Sequence, residues 1–344
     1  MALAYVPITL TNNESTATGS GFQQLLLNID MRAYEPFLNN DLSNVYFSSD
    51  SAGSTVINSW LESGNSSTSA ATTWWVVTSV AANSTTTIYM QVDLTGTSHR
   101  NNTTTGEAPQ LSSTYAEYDN GASVFSNYWN FAGTVLPSGW TNTGITYSVN
   151  NGIVATATTA SGYISYGTSV SSPIIIEGYG NIYEPNDNWV GLGVITVPVV
   201  NQAGYQGMSI STGFSGSNFP AVGIYQGTQT EGSTYTTTGG AVTPNSNQIW
   251  SVAYISTSSS AYYSNYVQQG TTITTPTVST PLYPAIFEAG SGAVAYTFSQ
   301  SASLSWLRIR AYPPSGIMPT VGLGQPTNFP YINTSTNPVE VPDL

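Results

Sequence analysis

Apolar and polar residues alternate along most of this chain, in short bursts. Residues 4–11 (AYVPITLT), 22–30 (FQQLLLNID), 44–48 (NVYFS), 55–61 (TVINSWL), 73–80 (TWWVVTSV) and 86–93 (TTIYMQVD) are β-branched or aromatic. Clusters of Asn, Gly and Ser part them. A period of two with turn residues between the runs predicts strands, and strands spaced this regularly predict a sandwich. One helical turn is expected near residues 31–38, where Pro36 keeps it short.

From 95 to 114 the alternation lapses into GTSHRNNTTTGEAPQLSST, polar and turn-rich, which marks a domain boundary. A longer series follows at 145–149, 153–158, 162–166, 173–183, 188–199, 205–212, 221–226, 248–256, 261–274, 283–289, 293–298 and 303–312. With no helical crossover among them, these runs predict two antiparallel sheets packed face to face. After Pro313, PPSGIMP and GQPTNFPYINTSTNPVEVPDL are proline-rich and too weakly patterned to fold alone. The expected fold is therefore all-β, with two antiparallel, jelly-roll-like β-sandwich domains. Residues 1–95 form a small sandwich, 96–118 a linker, 119–313 a larger sandwich and 314–344 an extended tail, a linker or an arm that docks on a neighbouring subunit.

Composition changes the picture more than length does. The 344 residues include no lysine, four arginines (Arg32, Arg100, Arg308, Arg310), one histidine (His99) and no cysteine, and 6% are charged against about 25% in ordinary soluble domains. Such a chain is hydrated by hydroxyls and amides, which suits a medium too acidic for carboxylates to ionise. A formal charge of −13 with four cations gives no means of neutralising phosphates, so no nucleic-acid partner is expected. Without cysteine there is no disulfide scaffold, thiolate metal site or thiol catalysis. No apolar run reaches about 18 residues, so no membrane insertion is expected. MALAYVPITLTN has neither a basic nor a continuous apolar region, so it does not read as a secretory signal.

Both halves resemble known modules. VPITLTN, the strand ending in Asn28-Ile29-Asp30, DLSNVYFSSDSAG, the Ser59-Trp60-Leu61-Glu62-Ser63 segment, Trp74-Trp75-Val76-Val77 and TTTIYMQV together resemble a domain of unknown function from archaeal and bacterial surface proteins. In that family the module precedes a concanavalin-A-like or laminin-G-like sandwich. The second half opens with GEAPQLSSTYAEYDNGASVFSNYWNFAGTVLPSGW (106–140) and closes with WLRIRAYPPSGIMP (306–319), edge motifs similar to those of such lectin-like modules. The resemblance implies the same two-sandwich architecture and no particular reaction. Family members usually carry signals and anchors; this sequence shows neither, which leaves open a signal replaced by the initiator Met or a component of a virion or released appendage.

Chemistry-bearing residues are few. Nucleophilic triads need a base, and His99 lies in a polar loop. Glycosidases on lectin-like sandwiches place acids as E-x-D-x-x-E on one strand. The nearest acids here, Glu177 in PIIIEGYG and Glu184 with Asp187 in YEPNDNW, lack that spacing, so an enzyme is not expected. No cofactor is expected either. Asp119 and Asp187 sit in Asp-Asn-Gly and Asn-Asp-Asn runs that offer oxygen ligands to Ca²⁺, but such runs are turn sequences first. Tyr179, Tyr183, Tyr225, Tyr235, Tyr262, Tyr263 and Tyr266 are candidates for stacking on glycans. Asn13, Asn65, Asn83, Asn101, Asn102 and Asn333 head N-glycosylation sequons. Arg308 and Arg310 share one face of the last strand and should meet acids there.

The expected role is a non-enzymatic extracellular structural or adhesive protein. A capsid, spike or fibre subunit of an archaeal virus or surface filament fits best, binding copies of itself and host or cell-surface glycans. A surface or S-layer adhesin of an acidophilic archaeon is the alternative, and a secreted glycan hydrolase is a third class.

Overall fold

The computed structural model describes residues 3–157, 162–183, 189–196, 206–212, 222–228, 236–238, 246–274, 277–289 and 300–330. The fold is all-β, as the period-two pattern requires. The chain divides into two compact units, one made of Met1–Ser126 with Pro313–Leu344 and the other of Asn127–Tyr312.

The first unit begins with β1 (Ala4–Asn12), β2 (Gln23–Ile29), β3 (Val45–Ser48), β4 (Ser59–Ser63), β5 (Thr72–Val77), β6 (Ser84–Val92) and β7 (Thr105–Glu107). A four-residue helix, α1 (Gly121–Val124), ends it. The second unit carries β8 (Asn127–Trp129), β9 (Trp140–Thr143), β10 (Thr146–Val149), β11 (Ile153–Ala157), β12 (Gly162–Tyr166), β13 (Ile174–Tyr183), β14 (Trp189–Ile195) and β15 (Gln206–Thr212). It continues through β16 (Val222–Thr228), β17 (Thr236–Thr238), β18 (Gln248–Ser256), β19 (Ser259–Ser264), β20 (Val267–Gln268), β21 (Tyr283–Ala289) and β22 (Gln300–Ala311). The chain then returns to the first unit as β23 (Thr320–Leu323).

In the first unit the sheets run β23-β1-β6-β3 and β2-β5-β4-β7. Val6, Ile8 and Leu10 alternate inward from β1 and join Ile88 and Met90 of β6, while Leu26, Leu61 and Trp74 come from the other sheet. Each such buried side chain contributes roughly 1.5–3 kcal/mol. Between β2 and β3 the expected helical turn is a short 3-10 helix, Met31–Phe37, capped by the Asp30 carboxylate, which accepts the Arg32 N–H at 3.1 Å.

The unit boundary falls at 126/127, not at 95. Residues 96–118, read as a linker for their polarity, contain β7, which pairs in parallel with β4 through Trp60↔Gly106. Gly106 is required there, because a Cβ would meet Asn120 Oδ1 at 2.2 Å. The tail is not free either where it is described. β23 pairs antiparallel with β1, and Gln24 Nε2 donates to the Pro319 carbonyl at 3.1 Å. Residues 331–344 lie outside the described residues.

The second unit stacks a sheet of order β10-β11-β22-β13-β18-β19-β20, with β8 beside β22, on one of order β17-β16-β15-β14-β21-β12-β9. Ile176, Val252, Leu307 and Ile309 of the first meet Leu192, Val194 and Ile286 of the second in one buried cluster. The long run 261–274 breaks into β19 and β20, because Asn265 and Tyr266 take positive φ (46° and 68°) and turn the chain. The run 293–298 lies outside the described residues.

Candidate functional site

A dense polar constellation of the second unit lies across β22, β13, β18 and β19. Register sets Glu177 between Arg308 and Ser251, and Ser251 beside Tyr263. Alternation turns these residues away from Ile176 and Ile309, which fill the inter-sheet core. Glu177 is 0% exposed. Its Oε2 accepts from Arg308 Nε at 2.7 Å and lies 2.6 Å from Arg308 Nη2. Its Oε1 accepts from Arg310 Nη2 at 2.8 Å and from the Ser251 hydroxyl at 3.1 Å. Arg308 Nη2 also donates to the Tyr266 hydroxyl at 2.9 Å. The Arg308 guanidinium lies 4.5 Å from the Trp306 ring centre, and Tyr179 stacks on that indole at 5.8 Å with planes 19° apart.

Burial opposes ionisation of Glu177, but the charges of Arg310 and Arg308 and their hydrogen bonds outweigh it, holding the carboxyl at about 2. A general acid needs a raised pKa. Glu177 is instead a fixed anion in a two-arginine clamp, and its chemistry is positional.

A second constellation lies in the first unit. Arg100 Nη1 is 2.9 Å from Glu107 Oε2 and 3.4 Å from Asp41 Oδ2, and its Nη2 donates to the Asp41 carbonyl. Ser112 donates to Glu107 Oε1 at 2.6 Å. Here burial prevails, and Glu107 titrates above the usual carboxylate range despite Ser112 and Arg100. His99 is anchored rather than loose in its loop. Its Nε2 sits 2.9 Å from Asp93 Oδ2, and its ring packs 4.4 Å from that of Tyr46.

The tyrosines do not gather into one surface. Tyr262 is fully buried with its hydroxyl 2.8 Å from Ser260 Oγ, so it cannot stack on a glycan. Tyr263 is half-buried on the opposite face of β19, and Tyr179 and Tyr266 belong to the Trp306–Arg308 cluster. For Tyr183 and Tyr225 only the backbone is described, and Tyr235, Glu184 and Asp187 lie outside the described residues. Asp119 Oδ1 accepts from Trp60 Nε1 at 2.9 Å and from the Gly121 N–H at 3.0 Å, as a turn carboxylate does. Among the described residues no cluster of three metal-binding side chains exists.

The sequons separate by geometry. Asn13, Asn83 and Asn102 are exposed and Asn65 is half-buried, whereas Asn333 lies outside the described residues. Asn101 is a loop clamp. Its Oδ1 accepts the N–H groups of Thr103 and Thr104 at 2.9 and 2.7 Å, and its Nδ2 donates to the His99 carbonyl at 2.8 Å. That locked amide is a poor glycan acceptor. The Arg308–Arg310 spacing forecast acidic partners but not which acid, and Ser251, Asp41 and Glu107 had no local signal, being set by pairings far apart in the chain.

No protein-family model matches the chain. It is 32% identical over 346 residues to uncharacterized protein 562 of Sulfolobus islandicus rod-shaped virus 1, across 91% of this chain and 58% of that protein. The relative is a viral protein. The chain thus spans little more than half of the relative's length. Among solved structures, an immunostimulatory antigen and pseudo β-1,3-glucanase of Mycobacterium tuberculosis matches at a TM-score of 0.42 and 10% identity, over 54% of this chain and 98% of that one. A glycosyl hydrolase family 16 protein from Mycobacterium smegmatis matches at 0.40 and 11%, over 54% and 99%. The carbohydrate recognition domain of Emp46p, metal-free, matches at 0.39 and 10%, over 50% and 88%. At these values the likeness transfers no activity. It does overturn one expectation: glycosyl hydrolases stand among the similar folds, so the sequence-based exclusion of an enzyme is withdrawn.

Proposed function

We propose that this chain is a structural subunit of a virus particle, exposed to an acidic exterior, whose partners are other copies of itself and host-surface glycans. The observation that carries the reading is the similarity to a viral protein along 91% of the chain. The composition supports it, since a chain with 6% charged residues relies on hydroxyls and amides rather than on ionisation for its hydration. The resemblance of the first half to surface-protein modules supports an exterior position.

Peptide mass spectrometry on density-gradient fractions of an infected culture tests this. Peptides of the chain should concentrate in the particle band at many copies per particle. Peptides confined to the cell envelope would instead make it a surface adhesin. Host polysaccharide should also be retained by the purified chain, and shortening of that polysaccharide in the same assay would add catalysis to binding.

A further inference from the structure

We propose that residues 140–149 form the contact through which two copies of this chain join, β10 of one pairing antiparallel with β10 of the other. β10 is the last strand of its sheet, paired with β11, and among the described residues no strand pairs with its other edge. Thr146, Tyr147 and Ser148 are exposed. The preceding strand β9 ends the opposing sheet in the same way, with Thr141 and Asn142 exposed. Asn142 fixes the crossing between them. Its Nδ2 donates to the Ile145 carbonyl at 2.8 Å, and its Oδ1 accepts the Ile145 N–H at 3.3 Å. One preorganised segment therefore presents the edges of both sheets on one side of the sandwich.

Exposed edges invite pairing, and proteins ordinarily guard them with charges, proline or bulges. This edge has none of these guards. No Asp, Glu, Lys, Arg or His occurs between Asp119 and Glu177, neither β9 nor β10 contains proline, and the β10–β11 register is unbroken. The outer edge of β3, by contrast, is bridged by Val56 at Ser48. Tyr147 on β10 is 38% exposed, Val154 on the opposite face of β11 is 37% exposed, and Val135, in the loop before β9, is 72% exposed. The Val135 loop is tied to the β10–β11 turn by the Gly152 N–H to the Phe131 carbonyl at 3.0 Å.

The occupant is a second copy because an uncharged strand is complementary to its own image about a twofold axis, which is the symmetry of most dimers. The contact is short, so the dimer is weak, in the micromolar range or above, and gains strength only by repetition in an assembly. This inference builds on the particle-subunit reading but is tested apart from it, because the mass of the purified chain reports the contact whatever fraction it came from.

Sedimentation equilibrium from roughly 1 to 300 μM should show a dimer that grows with concentration. Replacing Thr146→Lys with Ser148→Lys should weaken it by roughly tenfold or more, since like charges then face each other across the twofold. Gln268→Lys, on β20, should leave it unchanged. Amide exchange in the wild-type chain gives a second measurement that needs no variant: residues 146–149 should become more protected as concentration rises. A monomer throughout, a dimer indifferent to the two lysines, or exchange independent of concentration would overturn the proposal.

Discussion

Two buried carboxyls, one in each unit, meet arginine in opposite proportions. Glu177 has two guanidiniums for one carboxylate, whereas Glu107 shares the single guanidinium of Arg100 with Asp41. Burial is the largest influence on both and raises both. Two cations overcome it at Glu177, and half a cation does not at Glu107. At about pH 3, below the ordinary carboxylate range, Glu177 is therefore still an anion while Glu107 carries its proton. A chain with four arginines has placed three of them in these two clusters, and the fourth, Arg32, pairs with Asp30 at 2.6 Å. The comparison teaches that scarcity of charge is no defect in acid. An ion pair survives there when cations outnumber the carboxylate, and elsewhere the carboxyl is buried as a neutral hydrogen-bonding group.

The strongest way to break the comparison is Glu177→Gln. It removes the carboxylate that Arg308 and Arg310 share while preserving the shape. Breaking a buried ion pair from one side costs about 3–5 kcal/mol, so denaturant unfolding at neutral pH should show a loss of that order. The sign with pH follows from the depressed carboxyl. Its stabilisation is complete above the unfolded value of 4.5 and is lost as pH falls toward about 2. The gap between wild type and variant should hold at pH 5 and above, shrink below about 4.5 and close near about 2. A gap independent of pH would mean that the carboxylate is not what the arginines hold.

Much of this architecture was legible in the sequence, and the illegible parts share a physical cause. Strands such as β1, β6, β12, β18 and β21 were readable because alternation is a local property, and each fills a two-sided environment. β7 and β23 were not, because Thr105–Glu107 and Thr320–Leu323 are too short to show a period and exist through partners, β4 and β1, far away in the chain. The clamp was half legible. Two arginines two residues apart on a strand forecast acidic partners, and Glu177 was one of the acids weighed as catalytic. Their union depends on the β13–β22 register, which no local pattern encodes. Tyr262 and Tyr263 show the opposite failure. Adjacent aromatics on a strand face opposite ways, so a cluster in the sequence is not a surface in the fold.

A smaller effect should come from Glu107→Gln, and with the opposite pH dependence. A carboxyl raised by burial stabilises the fold in its protonated form, fully below the unfolded value of 4.5, and that contribution is lost as pH rises through its folded value. Glutamine stays neutral at every pH, so the variant should match wild type in acid and equal or exceed it near neutrality, by about 1 kcal/mol or less. Thermal unfolding at both ends of the range reads this directly.

Asp41→Asn makes the finest test, because it alters the proportion without touching Glu107. Asp41 is half in solvent and claims part of Arg100, and its charge also pushes the Glu107 carboxyl upward. Its removal leaves one arginine for one carboxyl and takes away the repulsion. Carboxyl-carbon titration of Glu107 by NMR should then show a lower midpoint, and the dependence of stability on pH should flatten. The fall should stop well short of Glu177, since a single guanidinium still faces the same burial that two were needed to overcome. A midpoint that does not move would show that burial alone sets Glu107, and that counting cations per carboxyl does not explain the difference between the two sites.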